Sequence, residues 1–140
     1  MKRIVDAALC HEGKMLLCLE EVAHSPGELF WVPPGGKVES GESDETAILR
    51  ELEEELDITA ETLAECGGTL RPYREHQGDW FGTLMVVQHL VVDLDAPLSF
   101  RLLASQHETR WVSSPPAGGS ISQFTKALMA GLSLDGYLRQ

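Results

Sequence analysis

The stretch from Pro33 to Ile58, PPGGKVESGESDETAILRELEEELDI, constrains this chain more than any other part of it. Two prolines and two glycines break the short strand Phe30-Trp31-Val32 and turn the chain. Ser43 then offers a helix N-cap, with acids in the first turn where the helix dipole favours them. The spacing predicts a helix over 44–56, with Ile48, Leu49, Leu52 and Leu56 as its apolar stripe. Glu51, Glu54 and Glu55 fall at i, i+3 and i+4 and share the adjoining face. Carboxylates this close repel one another unless a cation sits among them. With no His/Cys set nearby, the pattern reads as an all-oxygen site for Mg2+ or Mn2+. Such ions polarise phosphoryl groups, and hydrolysis of a phosphoanhydride is the reaction that fits.

Residues 36–58 resemble the signature of the Nudix hydrolases, G-x5-E-x7-R-E-U-x-E-E-x-G-U, where U is aliphatic. Gly36, Glu42, Arg50, Glu51, Leu52, Glu54, Glu55 and Ile58 match it, and Asp57 stands where the family has glycine. Asp enters the left-handed conformation more easily than most residues, so that departure is mild. The resemblance implies the Nudix fold, an α/β/α sandwich around a central mixed β-sheet. It implies an enzyme that hydrolyses a nucleoside diphosphate linked to a further group. It also implies Glu51, Glu54, Glu55 and the Gly35 carbonyl as metal ligands, which makes Glu51 and Glu54 catalytic candidates. Arg50 pairs with the neighbouring carboxylates and holds the helix face in shape. Glu42 supports that arrangement from behind, and Gly36 lets the chain turn sharply. Glu108, ahead of the Trp111 strand, is the candidate general base, with His107 beside it and Glu75 as another. Glu53 falls on an unspecified position and reads as surface.

The short length and the stretch WVPPGGKVESGE look most like the small nucleoside-triphosphate pyrophosphohydrolases, which yield a monophosphate and pyrophosphate. ADP-ribose or a nucleoside-diphosphate sugar is the alternative substrate class. A Nudix-fold module that binds without cleaving is the alternative of another kind. For the substrate phosphates, Lys37, Arg71 and Arg74 are the basic candidates. Trp80 and Phe81, beside a polar turn, are the candidates for stacking on a base.

Elsewhere the pattern predicts strands over 3–9 and 14–20 joined by His11-Glu12-Gly13, and a loop over 21–29. Further strands are expected over 62–75 and 80–94, with His76-Gln77-Gly78-Asp79 as their turn. The unbroken apolar run 84–92 suggests a central strand covered on both faces. A short strand at 110–112, a loop over 113–120 and an amphipathic helix over 121–132 complete a three-layer reading, as one domain over 1–140. The apolar end, 121–138, suits either a homodimer contact or packing on the chain's own sheet. A net charge of −11 opposes binding to nucleic-acid polymers or anionic membranes but not to a small nucleotide paired with cations. Three scattered cysteines give no disulfide framework, and polar residues interrupt the N-terminus before any signal-peptide core, so a cytoplasmic protein is expected.

Overall fold

The computed structural model describes residues 1–22, 25–103 and 108–140. Its elements are β1 (Lys2–His11), β2 (Lys14–Glu21), β3 (Leu29–Val32), β4 (Gly35–Lys37), α1 (Asp44–Leu56), α2 (Ala60–Glu65), β5 (Arg71–Trp80), β6 (Thr83–Asp93), β7 (Glu108–Val112) and α3 (Gln123–Leu134). The strands form one seven-stranded sheet in the order β3-β2-β1-β6-β5, with β4 added to β1 and β7 to β2. It is mixed: β1 and β6 run parallel over Lys2–Cys10, and the other pairs are antiparallel. The α/β/α sandwich expected from the sequence is what forms.

Alternation along the strands sorts side chains to two faces. Val5, Ala7, Leu9, Leu16, Leu90 and Val92 pack with Ala47, Ile48, Leu52 and Leu56 of α1. Ala8, Cys10, Met15, Leu17 and Val91 pack with Leu128, Met129 and Leu132 of α3. Strand β6, buried along most of its length, is the two-sided strand that its apolar run suggested. The C-terminal segment thus packs on its own sheet. Cys10, Cys18 and Cys66 are free, buried thiols. No helix among the described residues is long and apolar enough to cross a membrane.

One irregularity matters for everything that follows. β1 gives one edge to β6, and on the other edge only Cys10 and His11 pair with β2. At Ile4–Asp6 that edge is taken by β4 instead. The β1–β2 pair therefore splays apart toward one end, and a cavity opens there.

Two expectations fail in the middle of the chain. The strand expected over 62–75 begins only at Arg71, because residues 60–65 form α2. Thr59 caps that helix: its hydroxyl accepts the Thr62 amide at 3.2 Å, while the Thr59 amide donates to the Thr62 hydroxyl at 3.4 Å. The turn expected at His76–Asp79 lies inside β5, where His76 pairs with Val87 and Asp79 with Leu84. The chain reverses at Phe81-Gly82, with φ of 50° and 86°, the positive values that suit a two-residue hairpin loop. The Gly82 amide donates to the Asp79 carboxylate at 3.0 Å and fixes it.

Candidate active site

Helix α1 is built as its sequence suggests. The Ser43 hydroxyl accepts the Thr46 amide at 3.1 Å, and Asp57 closes the helix in the left-handed region at φ 56°, where the family has glycine. Arg50 is the hub of its charged face. It donates to both oxygens of Glu42 at 2.8 and 2.9 Å, to Glu51 at 3.0 Å and to Glu54 at 3.4 Å. Its last reach is to the Lys37 carbonyl, at 3.1 Å, which ties α1 to β4. The forked contact with Arg50 holds the Glu42 carboxyl down at about 2.

Gly36 does not make the sharp turn expected of it. It lies in β4 opposite Val5, and its missing side chain is what matters: a Cβ there would sit 2.5 Å from a Glu51 oxygen. At Gly35 a Cβ would collide with the Val5 carbonyl and with Asp6. These glycines let β4 pass between β1 and the carboxylates of α1. The Gly35 amide donates to Glu55 at 3.2 Å.

Glu55 is 7% exposed, and its carboxyl is pushed up to about 9 by burial first, then by Glu20 and Glu51. A buried acid surrounded by further acids is a group whose charged form calls for a cation. Glu20, at the end of β2, was not singled out in the sequence. Its signal was an acid closing the otherwise apolar run Met15–Leu19. Glu51, Glu54 and Glu55, with the Gly35 carbonyl, are all-oxygen donors, and such a set fits a hard divalent cation. Among the described residues no three acidic, imidazole or thiol side chains form a ready-made ion cage, since Glu51 and Glu54 lean onto Arg50.

The cavity beside these acids measures about 300 Å3. Its walls are Ile4, Val32, Pro33, Trp80, Met85, Val87 and Phe124, and Asp6, Glu20 and Lys2 supply polar groups. Gly35 and Gly36 line it as well, so the cavity and the acids share one piece of backbone. Trp80 is braced edge-on by Phe30 at 5.3 Å and by Phe81 at 4.8 Å between ring centroids. Phe81 itself supports Trp80 and stays half exposed outside the cavity.

The remaining candidates stand apart from it. Arg74 pairs with Asp135 at 2.8 Å and lies over the Tyr73 ring, and Arg71 lies over the Tyr137 ring, both beside the C-terminal end of α3. Lys37 ends β4 with an exposed side chain. Glu108 opens β7 opposite Leu19 and pairs with Arg110 at 3.3 Å, and Glu75 pairs with Arg3 at 3.4 Å. His107 lies outside the described residues.

A family model described as the NUDIX domain matches residues 1–119. The chain belongs to the Nudix family. It is 36% identical over 98 residues to a CTP pyrophosphohydrolase of Escherichia coli, an alignment covering 64% of this chain and 71% of that protein. It is 53% identical over 64 residues to an 8-oxo-dGTP diphosphatase of Proteus vulgaris, covering 44% and 57% of the two chains. Among solved structures it resembles the E. coli dihydroneopterin triphosphate pyrophosphohydrolase, with a TM-score of 0.75, 18% identity and 95% of each chain covered. This Nudix hydrolase therefore shares family with named pyrophosphohydrolases and shares fold with a third.

Proposed function

We propose that this Nudix hydrolase cleaves a nucleoside or deoxynucleoside triphosphate into the monophosphate and pyrophosphate, with Mg2+ or Mn2+. The observation that carries this reading is the cavity. At about 300 Å3 it stands at the small end of ligand pockets, room for one heterocycle but not for a second nucleoside. Its apolar walls and Trp80 suit the faces of a base, and its glycine edge adjoins the acids of α1. A base held there sends its phosphates toward Glu51, Glu54 and Glu55. Glu51, Glu54, Glu55 and the Gly35 carbonyl would hold the ion, which would supply charge for the phosphates and help orient an attacking water. Arg50 holds Glu51 and Glu54 in position, and Glu42 holds Arg50. The named relatives act on CTP and 8-oxo-dGTP, which supports a triphosphate.

The test is hydrolysis of canonical and oxidised (d)NTPs, ADP-ribose, UDP-sugars and diadenosine polyphosphates, with products identified by mass spectrometry. A monophosphate plus pyrophosphate from a triphosphate is the expected result. Cleavage confined to diphosphate-linked substrates would move the enzyme to the alternative class. No cleavage of any of them would make it a binding module. A second expectation follows from Trp80. Trp80→Ala should raise KM about tenfold or more, the worth of one stacked base, while kcat changes little. An unchanged KM would show that the base does not sit against Trp80.

A further inference from the structure

Asp6 is a carboxylate in the middle of the sheet. It stands on β1 between Gly35 of β4 and His89 of β6, is 7% exposed, and lines the cavity. Its Oδ1 faces His89 Nδ1 at 2.5 Å, and His89, wholly buried, faces His76 Nδ1 through its Nε2 at 2.8 Å. Burial, then His89 and Arg74, hold His76 below the usual imidazole value and keep it neutral at pH 7. His89 Nδ1 donates to Asp6 Oδ1, and His89 Nε2 and His76 Nδ1 share the second hydrogen bond. The chain fixes the Asp6 carboxyl from behind.

That accounts for one oxygen of Asp6. Oδ2 accepts no hydrogen bond from any described residue. Buried acceptors are seldom left without a donor. The Ser122 hydroxyl is engaged elsewhere: it caps α3 by accepting the Thr125 amide at 3.1 Å and donates to the Thr125 hydroxyl at 3.3 Å. Glu20 and Glu21 add acceptors, not donors, to the same cavity. The same cavity also carries donors, in Lys2, the Trp80 indole and the Thr125 hydroxyl, so Asp6 is set apart by its depth and by its fixed position.

We propose that Asp6 reads the base: Oδ2 accepts an N–H of the heterocycle, so the cavity selects bases bearing an exocyclic amino group over their keto counterparts. The inference rests on the nucleotide reading above. A keto base held in the same pose as its amino counterpart would set its carbonyl oxygen against the carboxylate and leave both acceptors unpaired, and its ring N–H would meet Oδ2 only if the base shifted in the cavity. The histidine pair is the positioning device, since it keeps Asp6 from swinging away from the ligand.

The test separates binding from cleavage. Affinities for AMP against IMP, and for CMP against UMP, are measured by calorimetry in a chelator. Values of kcat/KM are then compared for ATP against ITP and CTP against UTP with a divalent ion present. The amino member of each pair should be favoured about tenfold or more, the effect of one unmade buried hydrogen bond. Asp6→Asn keeps an acceptor for His89 and turns an amide N–H2 into the cavity, so the preference should vanish or reverse. Equal treatment of both members by the unmodified protein overturns the proposal, and that comparison stands even if the variant fails to fold. A folded Asp6→Asn protein that keeps the amino preference overturns it as well. Amino-selective binding without cleavage of any triphosphate would leave Asp6 its role and sink the hydrolase reading alone. Neither binding nor cleavage would overturn both.

Discussion

Glu55→Gln is expected to slow hydrolysis by about 10²–10³-fold and, in a chelator, to raise the melting temperature at pH 8. Both effects come from the same buried carboxyl. Its value in the folded protein, about 9, lies above the ordinary 4.5, because burial and then the Glu20 and Glu51 charges disfavour ionisation. Between those two values the unfolded chain releases the proton and the folded chain retains it. Folding stability therefore falls as pH rises through that window, and it falls no further once the folded group has ionised. Glutamine has the same shape, can still accept the Gly35 amide, and carries no charge to repel its neighbours. The variant should thus lack the alkaline loss of stability that the unmodified protein shows when ions are removed. Catalysis responds in the opposite sense. Removing a group that stabilises transition-state charge costs about 10²–10³-fold in kcat. Melting curves from pH 5 to 9 with and without Mg2+, alongside steady-state rates, test both halves. A variant with a normal rate would remove Glu55 from the metal site. An unmodified, chelated protein whose melting temperature did not fall from pH 5 to 9 would remove the electrostatic account.

Arg50→Lys should cost about a hundredfold in kcat although the charge is conserved. The guanidinium makes a planar fork to both Glu42 oxygens and still reaches Glu51, Glu54 and the Lys37 carbonyl. A single ammonium cannot serve five acceptors set at those angles. Groups that orient metal-binding side chains typically carry effects of about 10–100-fold. The Arg50–Glu42 pair also has its own acid signature. Glu42 is lowered from 4.5 to about 2, so its contribution to stability is complete above the higher value and is lost as pH falls toward the lower. In Arg50→Lys that acid-sensitive contribution should shrink. A lysine variant with near-normal kcat and an unaltered acid melting profile would mean that Arg50 is only a surface cation.

Helix α1 was legible because several independent signals coincide within twenty residues. Ser43 caps it, Ile48, Leu52 and Leu56 bury it, and Asp57 ends it, all as the local sequence requires. Trp31, in the short apolar strand that the sequence shows, is fully buried. Helix α2 was missed because a six-residue helix has too few turns to show a period, and its residues from Thr62 onward were read as the start of a strand. The hairpin turn was missed because Phe81, a bulky residue at positive φ, gives no turn signal, whereas Gln77-Gly78-Asp79 gives a false one. The cavity was out of reach for a different reason. Its lining comes from six strands, β1 to β6, and from α3, and Asp6, His76 and His89 meet across 83 and 13 residues of chain. Arg71 and Arg74 looked free in sequence, but Asp135 and the tyrosines beside α3 claim them.

The narrow passage of β4 carries an evolutionary consequence. Gly35 and Gly36 border both the acids of α1 and the cavity wall, and neither has a side chain to vary. Mutation at Trp80, Met85, Val87 or Phe124, which form a cluster apart from α1, can therefore reshape the cavity without transmitting a change to that helix. Conversely, almost any substitution at Gly35 or Gly36 strikes both at once. A lineage built on this plan is free to exchange one substrate for another by small steps, each leaving the hydrolytic apparatus intact. That freedom accords with relatives named for substrates as different as CTP and 8-oxo-dGTP.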